Sequence, residues 1–247
     1  MTAQPSVAAP AGLVARAPAG LNVRGTVLVI PGRGESPAGY RRFAARLAAD
    51  AYEVRVAARP ALDDLDAYAT HLVEVLADAP ATPVVVVGSD TGALVASALA
   101  GRGALDADVL VLAGVPRAAG EHVVTWDDEL ELRSACPAHR QVLSADPDVD
   151  RGALGESVPV DLVLAAGSAV PHLIVSGTDD ALAAELDGFV ATLPTVEVVT
   201  VTGAHHDVLN DLQHRSVAAA VVTFLERVRQ PSPAPIVQVG HSAWAAG

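Results

Sequence analysis

Four consecutive valines, Val84–Val87, run directly into Gly-Ser-Asp-Thr-Gly-Ala at positions 88–93. A wholly apolar, β-branched run with no polar alternation suits a strand covered on both faces, as at the centre of a parallel sheet. Such a strand needs helices above and below it, so this stretch alone restricts the chain to a layered α/β arrangement. The small residues at 88–92 then turn the chain sharply into an alanine-rich helical stretch, Thr91–Gly101.

The same rhythm extends along the chain. Strands are expected at Thr26–Ile30, Tyr52–Ala57, Val109–Ala113, Pro171–Ser176 and Val196–Val201. Helices are expected over Pro37–Asp50, where Phe43 and Leu47 share a face, and over Leu65–Ala77, where Leu65, Leu72 and Leu76 do. Two more are expected at Ala181–Leu193 and Arg215–Val228. Alternating strands and helices imply a mostly parallel sheet with right-handed crossovers and helices on both faces. Residues 117–170 break the rhythm, with acidic character and the punctuation Asp-Pro-Asp-Val-Asp, and are expected to form a small helical cap inserted into the core. The core is then 21–116 with 171–229, preceded by a loose arm at 1–20 that offers a short edge strand, and followed by a Pro-rich tail at 230–247.

Charge and cysteine usage narrow the function. The net charge of -13 disfavours a nucleic-acid or anionic-membrane partner, both of which need basic patches. All 16 basic residues are arginine, so no lysine can act as a Schiff base. Cys136 is the single cysteine, which excludes an internal disulfide framework or a cysteine-based zinc site, and it is expected to be a small buried filler. The first residues lack a basic segment followed by an apolar one, so no signal peptide is expected, and no apolar run is long enough to span a bilayer. The expectation is a cytoplasmic protein acting on a small molecule, without cofactor or metal, with a homodimer left open.

In open α/β sheets ligands bind at the carboxyl ends of the strands. Four segments fall there: Pro-Gly-Arg-Gly-Glu at 31–35, Gly-Ser-Asp-Thr-Gly at 88–92, Gly-Thr-Asp-Asp at 177–180 and Gly-Ala-His-His-Asp at 203–207. A strained strand–turn–helix elbow needs small residues two places before and after the side chain it presents. Gly88 and Gly92 frame Asp90 at that spacing. Framing Ser89 would instead put the β-branched Val87 and Thr91 at the crowded places. Asp90 is therefore the expected nucleophile. His205 or His206 can supply the base, and Asp179 or Asp180 the acid that orients it. The glycines of 31–35 let backbone amides face a developing oxyanion, with the amides of Arg33 and Thr91 as donors. Gly32, Gly34, Ser89, Trp126, His139 and His205 are further substrate-facing candidates, with Arg133 and Arg140 of the cap beside them.

The order nucleophile, acid, histidine is that of the α/β-hydrolases. From about 24 to 229 the chain resembles that superfamily, and in particular the monoacylglycerol lipases and lysophospholipases. Pro-Gly-Arg-Gly-Glu-Ser-Pro-Ala-Gly-Tyr at 31–40 is similar to their HGxGEHSxxY-like loop, and His-His-Asp-Val-Leu-Asn-Asp at 205–211 to their RHExLNE-like run. The resemblance implies His206 as catalytic histidine and Asp180 as acid. The elbow departs from the pattern: Gly-Ser-Asp-Thr-Gly-Ala replaces GHSMGG, and an elbow aspartate is similar to those of epoxide hydrolases and haloalkane dehalogenases. Those enzymes attack an sp3 carbon to form an alkyl-enzyme ester, which a histidine-activated water cleaves. A carboxylate is ionised at neutral pH and needs no base to attack, whereas against an ester it would form a high-energy anhydride. The cap tyrosines of epoxide hydrolases have no counterpart, because Tyr40, Tyr52 and Tyr68 all precede the cap, and Pro31 replaces the histidine of the oxyanion loop.

The expected function is thus hydrolysis of a small, largely apolar substrate through an Asp90–His206–Asp180 triad. Alternatives are ester or thioester hydrolysis by His-activated water, a non-hydrolytic elimination, cyclisation or isomerisation with Asp90 and His206 as acid and base, and a catalytically dead binding module.

Overall fold

The structure, a computed structural model, describes residues 12–118 and 123–230. The expected tail beyond Gln230 and the first half of the expected arm lie outside the described residues, as do positions 119–122 of the cap.

Seven strands form one sheet. They are β1 (Leu13–Ala15), β2 (Thr26–Ile30), β3 (Glu53–Val56), β4 (Val84–Ser89), β5 (Val109–Ala113), β6 (His172–Gly177) and β7 (Val196–Val201). Their order is β1-β3-β2-β4-β5-β6-β7, with β1 antiparallel to β3 as the expected edge strand and every other pair parallel. The direction of winding reverses between β2 and β4, so the crevice at their carboxyl ends is the natural ligand site.

The side-chain period of two divides each central strand between two helical layers. Val27 and Val29, Val85 and Val87, and Val109 and Val111 face one way and pack with Phe43, Leu47, Val217, Val221 and Phe224. These last come from α1 (Arg41–Ala49) and α7 (His214–Val228). Leu28 and Ile30, Val86, and Leu110 and Leu112 face the other way, onto Tyr68 and Leu72 of α2 (Leu65–Leu76) and Val95 and Leu99 of α3 (Thr91–Gly101). Between Ile30 and α1 the chain first makes a 3-10 turn, Pro37–Tyr40, so the expected helix 37–50 begins tighter than expected.

Between β5 and β6, in the segment 117–170 where a cap is expected, the chain carries α4 (Trp126–Arg133) and α5 (Pro137–Ala145). Thr125 starts α4 with a reciprocal capping box to Asp128, which is why a helix begins there despite its run of acidic residues. Cys136 is buried, as expected. The helix expected at Ala181–Leu193 shrinks to α6 (Asp187–Val190). Its first residues are drawn into pairing with the chain after β5: Arg117 N donates to Leu182 O at 2.8 Å and Ala184 N to Val115 O at 2.9 Å. Among the described residues no helix is long and apolar enough to cross a membrane.

Candidate active site

The elbow forms where the glycines predict it. A Cβ on Gly88 would lie 2.3 Å from Gly92 O, and one on Gly92 would lie 2.3 Å from Ile30 O. Backbone atoms therefore fill both flanking positions, and only glycine fits. Asp90 between them has φ 50° and ψ -126°, a left-sided conformation that costs an L-residue on the order of 1–3 kcal/mol. The turn lifts the Asp90 side chain away from α3, so it makes no capping bond to the helix it precedes.

The other three loops converge on that side chain. His206, after β7, places Nε2 3.0 Å from Asp90 Oδ1. Its Nδ1 lies 3.0 Å from both carboxylate oxygens of Asp180, after β6. Asp180 Oδ1 also accepts from Leu182 N at 2.9 Å, which fixes the carboxylate. Asp179 turns away and accepts from the Thr178 hydroxyl. The loop after β2 closes the fourth side: Arg33 N donates to Asp90 Oδ2 at 2.7 Å. The amide expected as an oxyanion donor thus already holds the Asp90 carboxylate. Thr91, the other expected donor, borders the neighbouring cavity, and its amide is not among the donors to Asp90.

The Arg33 side chain reaches the same carboxylate, a contact that the order of residues along the chain does not reveal. Nη2 donates to Oδ1 at 2.8 Å and Nε to Oδ2 at 2.9 Å, a side-on fork with both partners at or below 5% side-chain exposure. Arg33 Nη1 donates to the carbonyl of Glu156 in the cap. An arginine in a loop aimed at an elbow carboxylate is the charge complement that a buried acid requires, and that pairing was the available signal.

The side chains of Asp180, His206, Asp90 and Arg33 therefore form one buried cluster. Burial opposes ionisation of Asp90, but its hydrogen bond to His206 and the charges of His206 and Arg33 hold it well below the usual carboxylate range. Burial also opposes charging of His206, but hydrogen bonds to Asp180 and Asp90, and their charges, push it up to about 10. The surroundings thus favour the charged form of Asp90 and the protonated form of His206.

A second buried polar cluster supports the first from behind. Glu35 Oε2 accepts from Gly32 N at 2.9 Å and from the Tyr40 hydroxyl, fixing the loop after β2. Burial, and then the charge of Asp207, push Glu35 up to about 7. Arg133 of α4 pairs with Glu129 one turn earlier at 2.8 Å, lies 3.5 Å from Asp207, and donates to Arg33 O at 2.7 Å. The Glu129–Arg133 spacing of four was visible in the sequence, but its burial was not. Glu35, His139 and Asp207 come within 4.8 Å of one another, near enough to hold a metal. The Arg133 guanidinium beside them already supplies the positive charge that their carboxylates need.

Several substrate-facing candidates are placed elsewhere. Trp126 lies on the cap surface, where its Nε1 donates to Ser144 and Arg151 stacks on its ring. His139 is fully buried against Asp207, 2.9 Å away. His205 is held by Asp211, and Ser89 is buried beside Tyr40. Arg140 donates to Ser134 O. Gly32 and Gly34 do border a cavity beside Arg33, with Thr91, Arg59, Pro60, Leu62, Asp150, Ala153 and Glu156. This cavity measures about 170 Å³ and is lined by four charged residues, a poor match to a largely apolar substrate.

Neither a protein-family model nor a curated protein sequence matches the chain. Solved structures do match it along most of its length. A monoacylglycerol lipase from Paleococcus ferrophilus aligns with TM-score 0.67 at 18% identity, covering 88% of this chain and 98% of that one. A monoglyceride lipase from Saccharomyces cerevisiae aligns with TM-score 0.67 at 17% identity, covering 88% and 91%. A meta-cleavage product hydrolase from Pseudomonas fluorescens aligns with TM-score 0.64 at 15% identity, covering 88% and 94%. Identities this low establish the fold alone, and that fold is the α/β-hydrolase fold.

Proposed function

We propose that this chain is a hydrolase that opens a small strained ether, an epoxide, through a covalent ester on Asp90. The reading rests on one observation above all: the buried Asp90 carboxylate, presented by the elbow, lies 3.0 Å from Nε2 of the buried His206, whose Nδ1 is held by Asp180. In the first step an Asp90 carboxylate oxygen attacks an epoxide carbon and the ring C–O bond breaks. The departing oxygen needs a proton, and His206 carries one at Nε2 beside the reacting carboxylate. The imidazolium thus fills the role that the missing cap tyrosines would have had.

The same step rearms the histidine. Alkylation removes the Asp90 charge, one of the two that hold the His206 proton. Having given that proton away, His206 stays neutral and can take one from water. The resulting hydroxide attacks the ester carbonyl, whose oxygen rests on the Arg33 amide. Collapse releases the diol and restores the carboxylate and the imidazolium, with one water added overall. Ester hydrolysis by His-activated water is less well supported, because His206 Nε2 is already engaged by Asp90 Oδ1 at 3.0 Å and its surroundings favour the protonated form, which opposes a role as base.

The same ion pair also suits a second reading, proton transfer without hydrolysis, with Asp90 as base and His206 as acid. A single turnover in oxygen-18 water, run on a panel of small epoxides, separates the two. The ester route places label in the carboxylate of the peptide containing Asp90. Turnover without label there overturns it.

A further inference from the structure

The grip on Asp90 restricts what can enter the site. Both carboxylate oxygens are covered, by the Arg33 amide, Nε and Nη2 on one side and by His206 Nε2 on the other. A carboxylate so held has no exposed lone pair for attack. Arg33 must release it before Asp90 can react, yet Arg33 is buried, and a buried guanidinium left without an anion is strongly unfavourable. A neutral or apolar molecule cannot make good that loss. A second carboxylate can, because it accepts the same fork in the same geometry.

The surroundings fit such an exchange. Arg33 itself borders the adjoining cavity of about 170 Å³, so its guanidinium need only swing to face it. That volume suits an acid of a few carbons. A second cation, Arg59, lines this cavity with a side chain 40% exposed and 3.7 Å from Asp150; Asp150 and Glu156 line it too, so the exchange depends on the Arg33 fork and not on a net positive wall.

We propose that the substrate is a small carboxylic acid with its electrophilic carbon next to the carboxylate, and that Arg33 is its specificity-determining residue: the fork passes from Asp90 to the substrate and frees the nucleophile. This deepens the epoxide reading and rests on it for the reaction, giving a 2,3-epoxy acid as the substrate class. The bonds made and broken are those already described. The substrate carboxylate only exchanges places with that of Asp90 on Arg33 and is not consumed.

The test measures binding with a compound that does not react, so it stands apart from the isotope experiment. Propionate and propionamide are titrated calorimetrically into the wild type, Asp90→Asn and the double variant Asp90→Asn/Arg33→Gln, each checked for folding by circular dichroism. In the wild type, propionate should bind at least about ten-fold more tightly than propionamide. Asp90→Asn removes the competing carboxylate, so propionate should tighten by about ten-fold or more, and the double variant should lose that gain. Unchanged propionate affinity in Asp90→Asn, equal binding of the amide, or tighter binding of inorganic phosphate than of propionate would each overturn the proposal. If the double variant does not fold, Asp90→Asn/Arg33→Lys replaces it: it keeps the charge but not the fork, and full retention of the gain would be equally damaging. A missing oxygen-18 label with carboxylate binding intact would sink the ester mechanism and leave the anion site standing.

Discussion

Asp90 and His206 set each other's charge. His206 is flanked by two buried carboxylates and keeps its proton to about pH 10, far above the ordinary imidazole value. Removing one of those charges should therefore bring it back toward neutrality. Histidine-selective NMR of the wild type is expected to show His206 doubly protonated at pH 8. In Asp90→Asn the same signal should titrate at least about one unit lower. A His206 signal that is neutral at pH 8 in the wild type would contradict the charge state from which the chemistry is argued. The identity of the presented residue is legible in the sequence, because two glycines at fixed offsets exclude Ser89. What Asp90 touches is not, because Arg33 and His206 are separated from it by 57 and 116 positions, and only the folded sheet brings them together.

At the scale of elements, the central part of the sheet is the most readable. Val84–Ser89, Thr91–Gly101 and Val109–Ala113 follow from apolar runs that no other arrangement would bury. The segment 181–186 misleads because Ala-Leu-Ala-Ala-Glu-Leu has helical composition, while neighbouring backbone at Val115 and Arg117 captures its hydrogen bonds. Tertiary partners override propensity there. The elbow allows a sharper expectation. Gly88→Ala and Gly92→Ala each force a Cβ onto backbone atoms that cannot rotate away. Each should cost about 3 kcal/mol or more in denaturant unfolding, if it folds at all. Gly188→Ala, with nothing within 4 Å of its Cβ position, should stay within about 0.5 kcal/mol of the wild type. Equal effects at all three positions would mean that the elbow is not the constraint.

For the whole molecule, the buried charges tie stability to pH. His206 has a folded value of about 10 against an ordinary 6.5. Its contribution is therefore complete below about pH 6.5 and is lost as pH rises through 10. Asp90 is shifted the other way, so its contribution is present above about pH 4 and is lost only in strong acid. Unfolding free energy should fall from neutral pH toward pH 10, and His206→Gln should flatten that fall. A variant whose alkaline slope matched that of the wild type would show that other groups carry it.

The segment between β5 and β6 is stitched to the loops around Asp90 by main-chain and side-chain bonds alike. Asp150 N donates to Gly34 O at 2.9 Å, Asp207 N to Arg133 O at 2.8 Å, and Arg133 Nη2 to Arg33 O at 2.7 Å. A roof fastened in this way cannot lift like a hinged lid and leave the machinery beneath it undisturbed. Raising it would loosen both the arginine that covers Asp90 and the histidine beside it, so this segment and the site it covers hold together or come apart together.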